Sequence, residues 1–218
     1  MPRQLMRHRL IEAAAQVIRT RGLAVATSKE IAREASVAVG SIYNHFADKT
    51  DLITAVMLEG LPTLDNALDQ LRFCIGRGTV QGNLEELSRS AITFFAQYLP
   101  LAGGLFTDTE LHAAVRTRLV TDRRDLSAVH AGVAFYLAQE QQLDRINRDV
   151  EPEVAAAVLL GACSQYALLT HMSRPDVLPA AARYATLTVF MILPALRPPG
   201  TSTPDRTSQT RSGGLTAH

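Results

Sequence analysis

Apolar residues return every three or four positions along nearly the whole of this 218-residue chain, and nowhere do they hold the period-2 alternation of a strand. Such a pattern folds as helices. Leu10, Ile11, Ala14, Val17 and Ile18 form the first stripe, and Gly22 follows as a helix stop. Thr27 and Glu30 stand at capping-box spacing, which predicts a short helix over 28–35 with Ile31, Ala32 and Ala35 turned inward. After Ser36-Val37-Ala38, a second short helix is predicted over 39 to 45 or 46, burying Ile42 and Phe46. Asp48 caps a third that starts near Lys49, with Asp51 in its first turn. Gly60 and Pro62 interrupt it before it resumes to about residue 75. Further helices are predicted over 84–99, 107–120, 123–142, 151–172 and 178–193, with a break at 100–104 and Pro152 at a first helical position. The expected fold is all-α.

Hydrophobic residues make up 47% of the chain and charged residues 20%, which excludes a wholly disordered protein. Net charge is +1, but its distribution is uneven. Residues 1–51 carry +3, residues 197–218 carry +2, and the middle carries −4. A basic head on an acidic body suits a protein with one nucleic-acid-facing end. The two cysteines, Cys74 and Cys163, lie in apolar stretches and read as buried free thiols in a reducing cytosol. No metal-ligand spacing and no cofactor motif occurs. The first residues lack the apolar core and cleavage site of a secretory signal, so a cytoplasmic protein is expected. The apolar run 154–169 falls short of the roughly 20 residues that span a bilayer, so no membrane partner is expected. Residues 197–218, rich in Pro, Gly, Ser and Thr, have little to bury and are expected to be a disordered tail.

Two short helices joined by a tight turn and supported by a helix on either side make a helix-turn-helix. The second helix must enter a major groove roughly 12 Å wide while the first crosses the phosphate backbone. Val39-Gly40-Ser41-Ile42-Tyr43-Asn44-His45-Phe46 suits that task. Ile42 and Phe46 face in, Gly40 lets backbone approach DNA, and Ser41, Tyr43, Asn44 and His45 offer polar tips. Other readings stand beside these: Tyr43 as a core aromatic, His45 as an unpartnered helix-end histidine, Lys29 as an ordinary solvated charge.

The stretch from Thr27 to Ala35, Val37, Gly40 to Phe46, then Asp48, Lys49 and Leu52, resembles the N-terminal domain of the TetR family of transcriptional regulators, over about residues 5–55. The resemblance implies that Thr27, Ser28, Tyr43, His45 and Lys49 hold phosphates. It implies that Lys29, Ala38, Val39, Ser41 and Asn44 lie near base edges. It also implies a homodimer on a double-stranded operator, with a small-molecule effector bound in the C-terminal domain. Two positions depart from the family pattern. Ser36 stands where glycine is usual, in a conformation glycine takes freely. Ala38 stands where Ser or Thr is usual; it forfeits a cap of about 1 kcal/mol and, with Val39, offers methyl groups rather than hydrogen bonds. The expected organisation is a helix-turn-helix domain over 1–50 and a helical ligand-binding and dimerisation domain over 51–196.

The helix over 151–172 is apolar almost all round, with small residues such as Ala157 and Gly161, and the last helix is nearly as apolar. They read either as monomer core or as a two-fold four-helix interface. The middle helices carry Phe94, Phe95, Tyr98, Phe106, His112, His130, Phe135, Tyr136, Gln165 and Tyr166. These read either as plain core or as the lining of an apolar effector pocket with a few polar anchors. The expected function is a ligand-responsive DNA-binding regulator, a repressor released by a small, largely apolar molecule. The competing readings are a ligand-insensitive DNA-binding protein and a small helical enzyme, the latter lacking any visible nucleophile–base pair or phosphate loop.

Overall fold

The computed structural model describes residues 3–60, 64–122, 125–173 and 177–198. These residues form helices and no strand. The first is α1 (Arg3–Arg21), followed by a single 3-10 turn at Leu23–Val25, α2 (Ser28–Glu34), α3 (Gly40–Tyr43) and α4 (Lys49–Glu59). The body holds α5 (Asp65–Phe73), α6 (Val80–Leu105), α7 (Thr109–Thr121), α8 (Leu126–Gln142), α9 (Pro152–Met172) and α10 (Ala181–Leu196). The interruption expected at Gly60 separates α4 from α5; Pro62, Arg174, Pro175 and the tail from residue 199 lie outside the described residues.

Two hydrophobic cores hold these helices. The first gathers Leu10, Ile11, Val17, Ile31, Ile42, Phe46, Leu52 and Val56, together with Leu101 and Leu105 of α6 and Val115 of α7. The second gathers Leu68, Leu84, Leu87, Phe95, Val133, Tyr136, Leu159, Cys163, Tyr166 and Val189. So α6 belongs to both: its first four turns fill the body core and its last turn fills the head core.

This continuity corrects one sequence-based expectation. The break foreseen at 100–104 does not occur, although Pro100 stands inside α6. Proline has no N–H, so the carbonyl four residues earlier loses its helical donor. That carbonyl is Ala96 O, and His171 Nε2 of α9 donates to it at 2.8 Å. The orphaned acceptor is satisfied from the neighbouring helix, and α6 runs through. The helix also starts earlier than expected because Thr79 caps it, its side chain accepting from Gly82 N at 3.0 Å.

A polar clamp ties the α5–α6 loop to α8. Glu140, fully buried, accepts from Gly76 N at 3.0 Å and lies 3.2 Å from Arg145 Nη1. Arg145 Nη2 donates to Gly78 O at 2.6 Å, and Asn83 Nδ2 donates to Tyr136 Oη at 2.9 Å. Of the two thiols, Cys163 is buried as expected, while Cys74 is only half-buried. Burial pushes the Cys163 thiol up to about 11, even though its S–H reaches Ser88 O.

Removing one partner of a buried ion pair leaves the other charge uncompensated. Glu140→Ala is therefore expected to destabilise the protein by about 3 kcal/mol, lowering Tm by roughly 6–12 °C for a chain of this size. Thermal unfolding checks this; a change under about 2 °C would show the clamp to be ornamental.

Candidate functional site

The head is built outward from its core. Thr27 caps α2, its hydroxyl oxygen accepting from Glu30 N at 3.3 Å. The reciprocal half of the expected capping box is absent. Thr27 N donates to Val25 O, and the Glu30 carboxylate instead accepts from Arg21 Nη1 at 2.7 Å and from Arg33. Charged donors outcompete a neutral amide for a carboxylate. A two-way box does form at α4. Asp51 N donates to Asp48 Oδ1 at 2.8 Å, and Ala47 N donates to Asp51 Oδ2 at 3.0 Å.

Helix α2 ends in a Schellman turn. Val37 N donates to Ala32 O at 2.9 Å and Ser36 N to Arg33 O at 3.1 Å. Ser36 takes the left-handed conformation this turn requires, with φ 53°. The departure from glycine thus leaves the turn's geometry intact and adds backbone strain. Val37 packs partly buried against the head core, completing the motif.

Helix α3 is shorter than expected, starting at Gly40 and ending at Tyr43. Val39 stands at its cap position in helical conformation with no side-chain cap. The chain enters through 3-10 bonds, Ser41 N to Ala38 O at 2.9 Å and Ile42 N to Val39 O at 3.1 Å. It leaves through a turn in which Phe46 N donates to Ile42 O at 2.9 Å. Ile42 and Phe46 are buried, and Arg7 lies over the Phe46 ring, 5.0 Å from its centre. Of the residues expected to meet DNA, Thr27, Lys29, Ala38, Val39, Gly40, Tyr43, Asn44 and Lys49 are exposed. Ser28, Ser41 and His45 are half-buried. Tyr43 is 57% exposed and so is no core aromatic; its hydroxyl shares a 3.2 Å hydrogen bond with Ser28 Oγ, which ties α3 to the start of α2. The outer side of the turn and α3 is open to an approaching duplex.

A cavity of about 310 Å³ lies between α4, α5, α6, the end of α7 and the start of α8. Phe94 and Tyr98 line it, their rings stacked with centres 5.1 Å apart. Burial, with the negative charge of Asp125 adding to it, raises the Tyr98 hydroxyl above the ordinary tyrosine range. The other eight residues considered for an effector site lie elsewhere. Phe95 and Tyr136 are sealed in the body core, as is Tyr166, whose hydroxyl donates to Pro179 O at 3.0 Å. His130 Nε2 is hydrogen-bonded to Glu153 O at 2.8 Å. Phe106 is exposed against His112, and Gln165 is exposed on α9, as is Phe135 on α8. Sequence reasoning missed the rest of the lining, including Met57, Leu58, Leu68, Leu119 and Val129, with Asp65, Asp69, Arg72 and Asp125. Which helix faces meet across a cavity depends on how five helices pack, and periodicity carries no such information.

Residues 10–56 match the family model for bacterial regulatory proteins, tetR family. Over these residues the chain carries a helix-turn-helix domain of the tetR family. It is 31% identical over 110 residues to the HTH-type transcriptional regulator BetI of Cronobacter sakazakii (strain ATCC BAA-894), an overlap of 50% of this chain and 48% of that protein. The chain thus spans about half the length of that curated relative. Its fold resembles that of the transcriptional regulator FadR from Bacillus subtilis in complex with stearoyl-CoA, with TM-score 0.64, 18% identity, and 87% and 98% of the two chains covered. It also resembles SmeT, the repressor of the Stenotrophomonas maltophilia multidrug efflux pump SmeDEF, with TM-score 0.64, 18% identity, and 91% and 93% covered. The TetR-family fold, an N-terminal helix-turn-helix followed by a helical domain, is the one described above. The family and these relatives are regulators rather than enzymes.

A non-glycine residue in the left-handed region costs roughly 1–2 kcal/mol, offset in part by the extra freedom glycine brings to the unfolded chain. Ser36→Gly is expected to stabilise the protein by about 0.5–1 kcal/mol, read in denaturant unfolding. A loss of stability would mean that the serine side chain supports the turn.

Proposed function

We propose that this TetR-family chain is a dimeric repressor that leaves its DNA operator when a small, largely apolar molecule fills the cavity beside Phe94 and Tyr98. The observation that carries the DNA-binding reading is the exposed, polar-rimmed outer side of α3, fixed from beneath by Ile42 and Phe46. Residues 1–50 are proposed as the DNA-binding domain and 51–196 as the ligand-binding and dimerisation domain, with the work done in the cytoplasm. Thr27, Ser28, Tyr43, His45 and Lys49 hold phosphates in this reading; Lys29 and residues 38–41 and 44 approach the bases.

The cavity supports an effector. At about 310 Å³ it sits at the small end of ligand pockets, roughly 300–1,000 Å³. Its walls include Met57 and Leu58 of α4 and Leu119 of α7, helices that also supply the head core. An occupant that favours one packing of α4, α6 and α7 would favour one separation of the two heads. Two-fold heads must sit about 34 Å apart, or at a related spacing, to meet successive major grooves.

The dimer is supported by an uncovered apolar face. Val154, Val158, Leu168 and Met172 of α9 and Leu187, Phe190 and Met191 of α10 are all exposed. Helix α9 is long and apolar enough to cross a membrane, yet it packs against α6, α8 and α10. A second copy of the same two helices covers such a face by forming a four-helix interface. Charging its centre with Phe190→Glu is expected to turn a sedimenting dimer into a monomer at micromolar concentration. A wild-type monomer under those conditions would remove the dimer from this proposal.

DNA from upstream of the protein's own gene provides the functional test. Binding should fall steeply with salt, and Lys49→Ala should weaken all sequences alike and reduce the salt slope by about 1. A metabolite extract should release wild-type protein but not a Tyr98→Ala variant that still binds DNA. Unchanged affinity in Lys49→Ala would remove the phosphate role. Retention of the wild type in every extract would favour the ligand-insensitive reading.

A further inference from the structure

We infer that Ala38 and Val39 read the 5-methyl groups of thymines, so that the base pairs facing the start of α3 are selected by methyl contact rather than by hydrogen bonds. The inference rests on the DNA-binding reading above and specifies what the head looks for.

The N-terminal residues of a recognition helix are the ones that reach base edges. In this chain they are Ala38, Val39 and Gly40, and all three are exposed. A Cβ added at Gly40 would meet nothing within 4 Å, so this point of the head stands clear of the rest of the chain. The outermost chemistry is therefore two small apolar side chains and a bare backbone. Polar tips lie around them: the Ser28–Tyr43 pair and Lys49, suited to phosphates.

The side chains that α3 turns outward include no arginine, lysine, glutamine or glutamate. The commonest specific contact, a cation on the O6 and N7 of guanine, is thus closed to this helix and left to Lys29 of α2 at the edge of the base-facing set. Ser41 and Asn44 are its remaining polar readers. What a methyl-bearing surface can distinguish in the major groove is the thymine methyl, the one apolar group displayed there.

Cap chemistry points the same way. Ser, Thr, Asp or Asn at position 38, whose carbonyl accepts the first bond of α3, would satisfy an orphan amide, whereas Ala38 has no side-chain acceptor and Val39, already helical, leaves its methyls in water. The arrangement forgoes a stabilising cap for a side chain useful only once something apolar covers it. The 3-10 bonds accepted by Ala38 O and Val39 O hold both residues in place before binding, so little ordering remains to be done on contact.

The experiment selects binding duplexes from a random pool with the full-length protein, then replaces each thymine of the best duplex by uracil, one at a time. Only the 5-methyl is lost. At one or two positions in each half-site the wild type should bind about fourfold more weakly, the worth of one buried methyl-sized group. Val39→Ser should bind the thymine and uracil duplexes equally at the Val39 position while keeping the wild-type salt slope, and Val39→Thr, which keeps a methyl, should retain part of the preference. Val39 is exposed, so the variant is expected to fold; its melting temperature checks that. Wild-type affinity indifferent to uracil at every position, or a Val39→Ser protein as sensitive as wild type, overturns the inference and leaves the regulator reading standing. A pool from which nothing is enriched overturns both.

Discussion

A helix of four residues cannot hold itself together. Nucleating one turn fixes several backbone angles for a single hydrogen bond, and isolated helices much shorter than 12–15 residues are marginal even with favourable sequences. Helix α3 therefore takes its existence and its direction from elsewhere: from Ile42 and Phe46, sunk in the head core, from the Ser28–Tyr43 bond at one side, and from the Schellman turn that delivers the chain at the right angle. The outer side of α3 is presented to solvent because the inner side is pinned. If Ile42 and Phe46 lost their places, the turn at Ser36 would have no partner to aim at and the outer side of α3 would have no fixed orientation.

The core that pins α3 is not closed by the head alone. Leu101 and Leu105 of α6, with Val115 and Leu119 of α7, complete it. Close approach makes this possible: a Cβ at Gly104 would lie 2.7 Å from the Cβ of Leu23, so only glycine lets α6 seat against the turn after α1. Pro100 stands where α6 passes from one core to the other, and His171 of α9 supplies the donor that the Ala96 carbonyl lacks. A single helix thus touches the head core, the cavity through Phe94 and Tyr98, and the helix that carries the uncovered apolar face. A repacking at the cavity would therefore reach α6 and, through the shared core, the residues that α3 rests on.

How much of this was legible beforehand follows from where each signal resides. Caps and stops are local, so Thr27, Asp48, Pro152 and the interruption at Gly60 could be placed from neighbouring residues alone. The inward set Ile31, Ala32, Ile42 and Phe46 followed from spacing and is buried as expected. The continuous α6 could not be foreseen, because its continuity depends on His171, seventy-five residues away from Ala96. Glu30 was misread for the same kind of reason: Arg21 competes for its carboxylate across a turn. The cavity was the least legible feature. Only Phe94 and Tyr98 among the residues singled out line it, since aromatic content marks core and pocket alike.

The local rules of helix building fail together in one short stretch. Ser36 is forced into a left-handed turn, Ala38 and Val39 offer no cap, and Val39 and Tyr43 leave apolar surface in water. Other helices of the chain are capped by side chains, as at Thr79, Asp48 and Asp108, while α5, α9 and α10 are not. Several locally unfavourable choices gathered on one surface are expected where a partner, not the fold, sets the requirement. The stretch holding them runs from the end of α2 through α3, the part of the head that a major groove would receive. Stability given up there is small against two well-packed cores, and under the proposed reading DNA would cover the exposed methyls of Ala38 and Val39.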